Sequence, residues 1–131
     1  MKLYIKSSTQ LKPELQSLNW ERGENEGVVA TAKDGDEYYG LMAEWFDKTS
    51  GDKDPDKQYC VYAAKTDAEA VLEMIDLDEE YYEDFEEGQD PYWYCEDYFM
   101  HETTDSNVVQ DIGWYATEDE AIDVAEKLIG W

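Results

Sequence analysis

The chain has 131 residues, 42% of them hydrophobic and 15% aromatic, with 11 Tyr and 5 Trp. That suits a single domain spanning 1–131 and excludes the aromatic-poor composition of intrinsic disorder. Its 34 acids against 10 Lys and Arg leave a formal charge of −24, well past the magnitude of about 2 to 8 that solubility asks of a small domain. Such a charge disfavours attraction to nucleic acid phosphate or to an anionic membrane.

Residues 2–7 (KLYIKS) alternate Leu3 and Ile5 against Lys2, Tyr4 and Lys6, as an edge or half-buried strand does. This start is not the apolar h-region of a signal peptide, and nothing in the chain approaches the roughly 18 apolar residues of a membrane span. The expected location is the cytoplasm of a bacterial host, with no membrane partner. Pro13 suits the first turn of a short helix over 13–20, with Leu15 and Leu18 on one face. ERGENEG then breaks it.

Residues 27–47 read as a hairpin around an Asp34-Gly35 turn, and QYCVYAAK (58–65) as a third apolar strand. Between them, the loop over 47–56, with Asp47, Asp52, Asp54 and Asp56, is loosely similar to a calcium loop but lacks the EF-hand order of ligands. Thr66-x-x-Glu69 predicts a capping box. The helix it opens runs over about 66–87, with Ala70, Met74, Leu77, Tyr81 and Phe85 facing inward. Gly88 and Pro91 end it.

YWYCEDYFMHET (92–103) reads as an aromatic strand, TDSN as a turn and 113–116 as a last short strand. A second box, Thr117-x-x-Glu120, opens a helix over about 117–129 with Ala121, Val124, Ala125 and Leu128 buried. The expected fold is α+β: a mainly antiparallel sheet of four to five strands, two main helices and one short N-terminal helix, with the helices on one sheet face.

The charge is lopsided. Residues 1–65 hold 12 acids and 9 bases, whereas 66–131 hold 22 acids and one base, Lys127. Adaptation to high salt would spread acids over the whole surface, so this asymmetry points to an interaction face. Glu69, Glu73, Asp76, Glu80, Glu83 and Glu87 are spaced 4, 3, 4, 3, 4, which on one helix makes a carboxylate stripe about 27 Å long. Asp78, Glu79, Asp84 and Glu86 widen it. A solvated helix face ordinarily mixes Lys with Glu, because like charges at i,i+4 each cost about 0.2–0.5 kcal/mol; here Lys is absent. Tyr92, Trp93, Glu96 and Asp97 extend the candidate surface, since aromatics beside carboxylates suit a cationic groove.

In size, charge and this stripe the chain resembles the small acidic anti-defence proteins of phages and mobile elements, the DNA-mimicking antirestriction proteins and anti-CRISPR inhibitors. The resemblance implies a basic nucleic-acid-binding partner, a nuclease or a restriction or CRISPR effector, whose groove the acidic face fills. No family motif accompanies it, and no family residue carries over.

An adaptor that binds a basic protein without mimicry, and a carboxylate-rich divalent-metal protein, are the alternatives. His101 is the only histidine, and no nucleophile triad or phosphate-cradling glycine motif occurs. The expectation is a non-catalytic protein without cofactor or resident metal. Cys60 and Cys95 are too few for a zinc site, and a disulfide between them stays open.

Overall fold

The computed structural model describes residues 10–45 and 59–131. The strand expected over 2–7, the hairpin beyond 45 and the loop over 47–56 lie outside them. The described elements are α1 (Pro13–Gln16), β1 (Glu21–Arg22), β2 (Val28–Asp34), β3 (Glu37–Trp45), β4 (Tyr59–Asp67), α2 (Ala68–Leu77), a 3-10 turn (Pro91–Tyr94), α3 (Cys95–His101), a second 3-10 turn (Asp105–Asn107), β5 (Val108–Tyr115) and α4 (Glu118–Leu128). The five strands form one antiparallel sheet in the order β1-β2-β3-β4-β5. The α+β class is therefore observed, with a short N-terminal helix and two longer ones.

The expectation of helices on one sheet face is corrected: both faces are covered. Along β3 and β4 apolar residues occupy both parities, and a strand buried on both sides reads as a continuous apolar run. Tyr39, Leu41, Ala43, Val61 and Ala63 meet Ala121 and Ala125 of α4, with Leu11 and Leu15 alongside. Tyr38, Met42, Cys60, Tyr62 and Ala64 meet Val71 and Ile75 of α2 and Cys95 and Phe99 of α3.

The hairpin forms one residue later than expected. Asp34 pairs with Glu37, so the two-residue loop is Gly35-Asp36, and Gly35 supplies the positive φ of 64° that a side chain would resist. Its Asp36 carbonyl accepts the Ala68 amide at 2.8 Å, tying the hairpin to the start of α2. The short β1 lies in the segment expected to be only a breaker. β5 starts five residues before the expected 113, with register irregularities opposite Val61/Tyr62 and Ala63/Ala64.

Two further expectations fail. The helix predicted over 66–87 stops at Leu77. Its buried positions are Val71 and Ile75, and the next turn of that face would carry Asp78 and Glu79, leaving nothing to bury. Its cap is Asp67, whose Oδ1 accepts the Ala70 amide at 2.8 Å. Thr66 instead ends inside β4, buried.

The strand predicted over 92–103 is a 3-10 turn followed by α3. Asp90 accepts the Tyr92 amide at 3.0 Å and Pro91 takes the first position, a helical start. Cys95 and Phe99, four apart, then face the sheet. The second capping box is observed in part: Thr117 accepts the Glu120 amide at 3.2 Å, while the Glu120 carboxylate reaches the amide of Ala116.

Gly40 sits beneath Phe99, and a Cβ there would come 2.7 Å from the ring. Gly40→Ala is expected to destabilise the protein by about 1–3 kcal/mol, read by denaturant unfolding. Adding Phe99→Leu to that variant should cost less than Phe99→Leu alone, because the smaller side chain makes room. Strictly additive losses would show that the close approach is not the cause.

Candidate functional site

All ten acids of the expected stripe are exposed, from Glu69, Glu73 and Asp76 on α2 to Asp78, Glu79, Glu80, Glu83, Asp84, Glu86 and Glu87 beyond it. They do not form one helical row. Glu69, Glu73 and Asp76 keep the 4, 3 spacing along a helix about 15 Å long; the others ride on a chain of tight turns. Those turns are closed by amide bonds from Tyr81 and Tyr82 to the Asp78 carbonyl at 3.0 and 3.2 Å, and from Phe85 to Tyr82 at 2.9 Å. Gly88, at φ 90°, completes the reversal.

Aromatic packing holds this reversal in place. Tyr82 meets Tyr94 edge-on at 5.6 Å, Phe85 meets Tyr94 at 5.6 Å, and Tyr81 meets Tyr82 at 4.8 Å. These are the separations that edge-to-face pairs favour. The Tyr82 hydroxyl lies 3.8 Å from Met74 Sδ. Burial raises its pKa, and the Asp97 carboxylate that it contacts adds to the effect. The aromatics expected to bury a long helix instead fold the chain back.

Among the described residues no cation pairs with the acidic segment. Residues 67–87 carry 11 of the 34 acids. Among the described residues, the cations are engaged elsewhere. Arg22 pairs with Glu126 at 2.8 Å, Lys33 with Asp90 at 2.7 Å, Lys65 with Glu37 at 2.8 Å and Lys127 with Asp123 at 3.0 Å. Lys12 donates its ammonium to the Val109 carbonyl. No described ion pair reaches a carboxylate of α2 or of the turns after it.

The remaining expected site residues divide. Trp93 is exposed. Tyr92 is half-buried, its ring 5.3 Å from that of Tyr38 and its hydroxyl 2.8 Å from Thr31 Oγ1; burial pushes its phenol up to about 12. Glu96 turns inward and accepts the amides of Glu24 at 3.0 Å and Asn25 at 2.9 Å, and the Asn25 side chain at 3.0 Å. It anchors the 24–25 turn to α3, a long-range role with no local signature.

Asp90 is a further member that sequence reasoning misses. It joins the Lys33 ammonium, the Tyr38 hydroxyl at 3.3 Å and the Tyr92 amide, and so fastens the far end of the acidic segment to β2 and β3. The Asp90-Pro91 dipeptide is the signal that could have found it.

The Cys95 thiol is pushed up to about 12, chiefly by burial, which keeps it protonated and poorly nucleophilic at neutral pH. Cys60 and Cys95 are both buried thiols. Among the described residues no three His, Cys, Asp or Glu side chains converge as a metal centre would need, and no helix is long and apolar enough to cross a membrane. No protein family, curated protein or solved structure matches the chain.

The hydrogen bond from Lys33, followed by that from the Tyr92 amide, holds the Asp90 carboxyl below its ordinary range. A depressed folded-state pKa adds stability above the unfolded value of about 3.9 and loses it as pH falls through the folded value. Asp90→Asn keeps an oxygen for the Tyr92 amide. It is expected to cost at most about 1 kcal/mol at pH 7, since the pair is largely exposed. The gap between variant and parent should close in strong acid, as read by thermal melting. An equal gap at both pH extremes would rule out the charge as its origin.

Proposed function

We propose that this is a non-catalytic acidic binding protein whose carboxylates stand in for nucleic acid phosphates. It blocks the DNA- or RNA-binding groove of a basic partner, a CRISPR or restriction nuclease, in the cytoplasm of a bacterial host. The observation that carries the proposal is the exposed carboxylate surface of residues 69–87, which no cation among the described residues pairs with, braced by the ring cluster of Tyr82, Tyr94 and Phe85.

A solvated surface gains from interspersed cations. This one forgoes them, at the cost of self-repulsion. An ordered array of like charge raises encounter rates with a cationic groove and rejects anionic competitors.

The end of α2 at Leu77 favours a second reading. A turn in place of a straight row gives up even phosphate-like spacing beyond Asp76, as suits an adaptor that docks on a basic protein through charge density alone. Displacement by DNA separates the two. A mimic occupies the nucleic acid groove, so double-stranded DNA releases its partner; an adaptor bound elsewhere on that partner is not released.

The quadruple variant Glu73→Lys, Asp76→Lys, Glu80→Lys, Glu83→Lys is expected to weaken partner binding by about a hundredfold or more while leaving the melting temperature unchanged or raised. Binding of the parent should also fall steeply with added salt, because screening shortens surface electrostatics to about 8 Å at physiological ionic strength. Affinity measured on partner captured at low salt and eluted with DNA checks both. Undiminished binding by the quadruple variant would reduce the acidic surface to a solvated face.

A further inference from the structure

A groove of about 1090 Å³ runs beside the last strand of the sheet, between α1 and the C-terminal half of α4. Leu11, Leu18, Ile112, Val124, Leu128 and Trp131 are among its walls. β5 is the end strand, and among the described residues no strand pairs with its outer edge. It has eight residues, no Lys or Pro, and one charge, Asp111. An edge left to water is ordinarily short or carries Lys or Pro, because its unpaired amides and carbonyls recruit another strand.

The chain enters the described structure at this groove. Gln10 is one of its walls. The Gln110 side chain of β5 donates to the Gln10 carbonyl at 2.8 Å and accepts the Lys12 amide at 2.9 Å, while the Lys12 ammonium donates to the Val109 carbonyl at 2.8 Å. Residues 1–9, outside the described part, are joined to the rest here. Nine residues reach at most about 30 Å, and an eight-residue strand such as β5 is about 27 Å long, so the segment is long enough to follow it.

Its chemistry also fits. Leu3 and Ile5 alternate with polar neighbours, and the charges over 1–9 are Lys2 and Lys6 with no acid. β5 and α4 together carry six acids against Lys127. A cationic segment is attracted to that surface, whereas a second copy of the chain would bring a further charge of −24 to it.

We propose that residues 2–7 of this chain cover the groove as a sixth strand on the outer edge of β5. Gln10 is held at Gln110 and the groove continues along 112–115, so residue numbers fall along the segment as they rise along β5, and the pairing is antiparallel. Leu3 and Ile5 share one side of such a strand. They turn into the groove, toward the core on which Ile112 and Tyr115 pack.

Nuclear Overhauser contacts in the isotope-labelled full chain test this. The methyl groups of Leu3 and Ile5 are expected to contact Val124, Leu128 or the Trp131 indole within one molecule. A sample mixing labelled with unlabelled chains separates the possible sources. Contacts found only between molecules give the groove to a second copy and overturn the proposal, as does the absence of any contact from Leu3 and Ile5 to its walls.

Hydrogen exchange supplies a second readout. In the double variant Leu3→Asp, Ile5→Asp, the outer-edge amides of β5 are expected to exchange at least about tenfold faster than in the parent, with those of β3 and β4 unchanged. Equal rates in variant and parent would show that the segment does not protect this edge. The Overhauser contacts are read on the parent, so a variant that fails to fold leaves that test intact.

Discussion

A charge of −24 on 131 residues is tolerable only if the interior supplies enough burial to outweigh self-repulsion, and the two-sided sheet meets that demand. β3 and β4 are buried along most of their length, so each contributes apolar surface to two cores instead of one. Alanines at 43, 63, 64, 121 and 125 keep the layers close. With both faces covered by short amphipathic helices, acids need never turn inward unpaired. Those that approach the interior come with donors waiting: Glu96 accepts the 24–25 amides, and Glu44, whose carboxyl pKa burial shifts upward, has the Tyr62 hydroxyl.

The same arrangement explains how a densely anionic segment stays ordered. α2 holds only while its inward face has Val71 and Ile75 to bury. Past that point a continued helix would stack carboxylates at i,i+3 and i,i+4 with no apolar return. The chain turns instead, and Tyr82 and Phe85 recover burial by reaching back to Tyr94. The anionic surface is therefore bounded at both ends by structural contacts, Asp67 at the helix start and Asp90 at the return. Order at the ends and charge between them is what a docking surface requires, because rigidity lowers the entropic cost of association.

Legibility varies with the range of the interaction that decides each element. The hairpin, the α4 cap at Thr117 and the apolar strand around Val61 follow from local grammar and are found where expected, within a residue or two. Sequence spacing overextends α2 because Leu77, Tyr81 and Phe85 do recur at helical intervals. The competing face of Val71 and Ile75 wins because it lies over the sheet. In YWYCEDYF, aromatic β-propensity masks the Asp-Pro start and the four-residue spacing of Cys95 and Phe99, and β-propensity is a statement about surroundings more than about the backbone. The exposure of the candidate carboxylates on 69–87 is legible throughout; the inward turn of Glu96 is not, since its partners lie more than 70 residues away in the chain.

Sequence alone determined the class of fold and the placement of charge, since local periodicity, capping residues and composition act over a few residues and need no knowledge of neighbours. Tertiary structure decided where α2 ends, which rings are buried and which stand in water, and which acids are used to hold the fold. Those outcomes turn on which surfaces meet across the sheet, and burial is a property of the assembled layers that no single segment carries by itself.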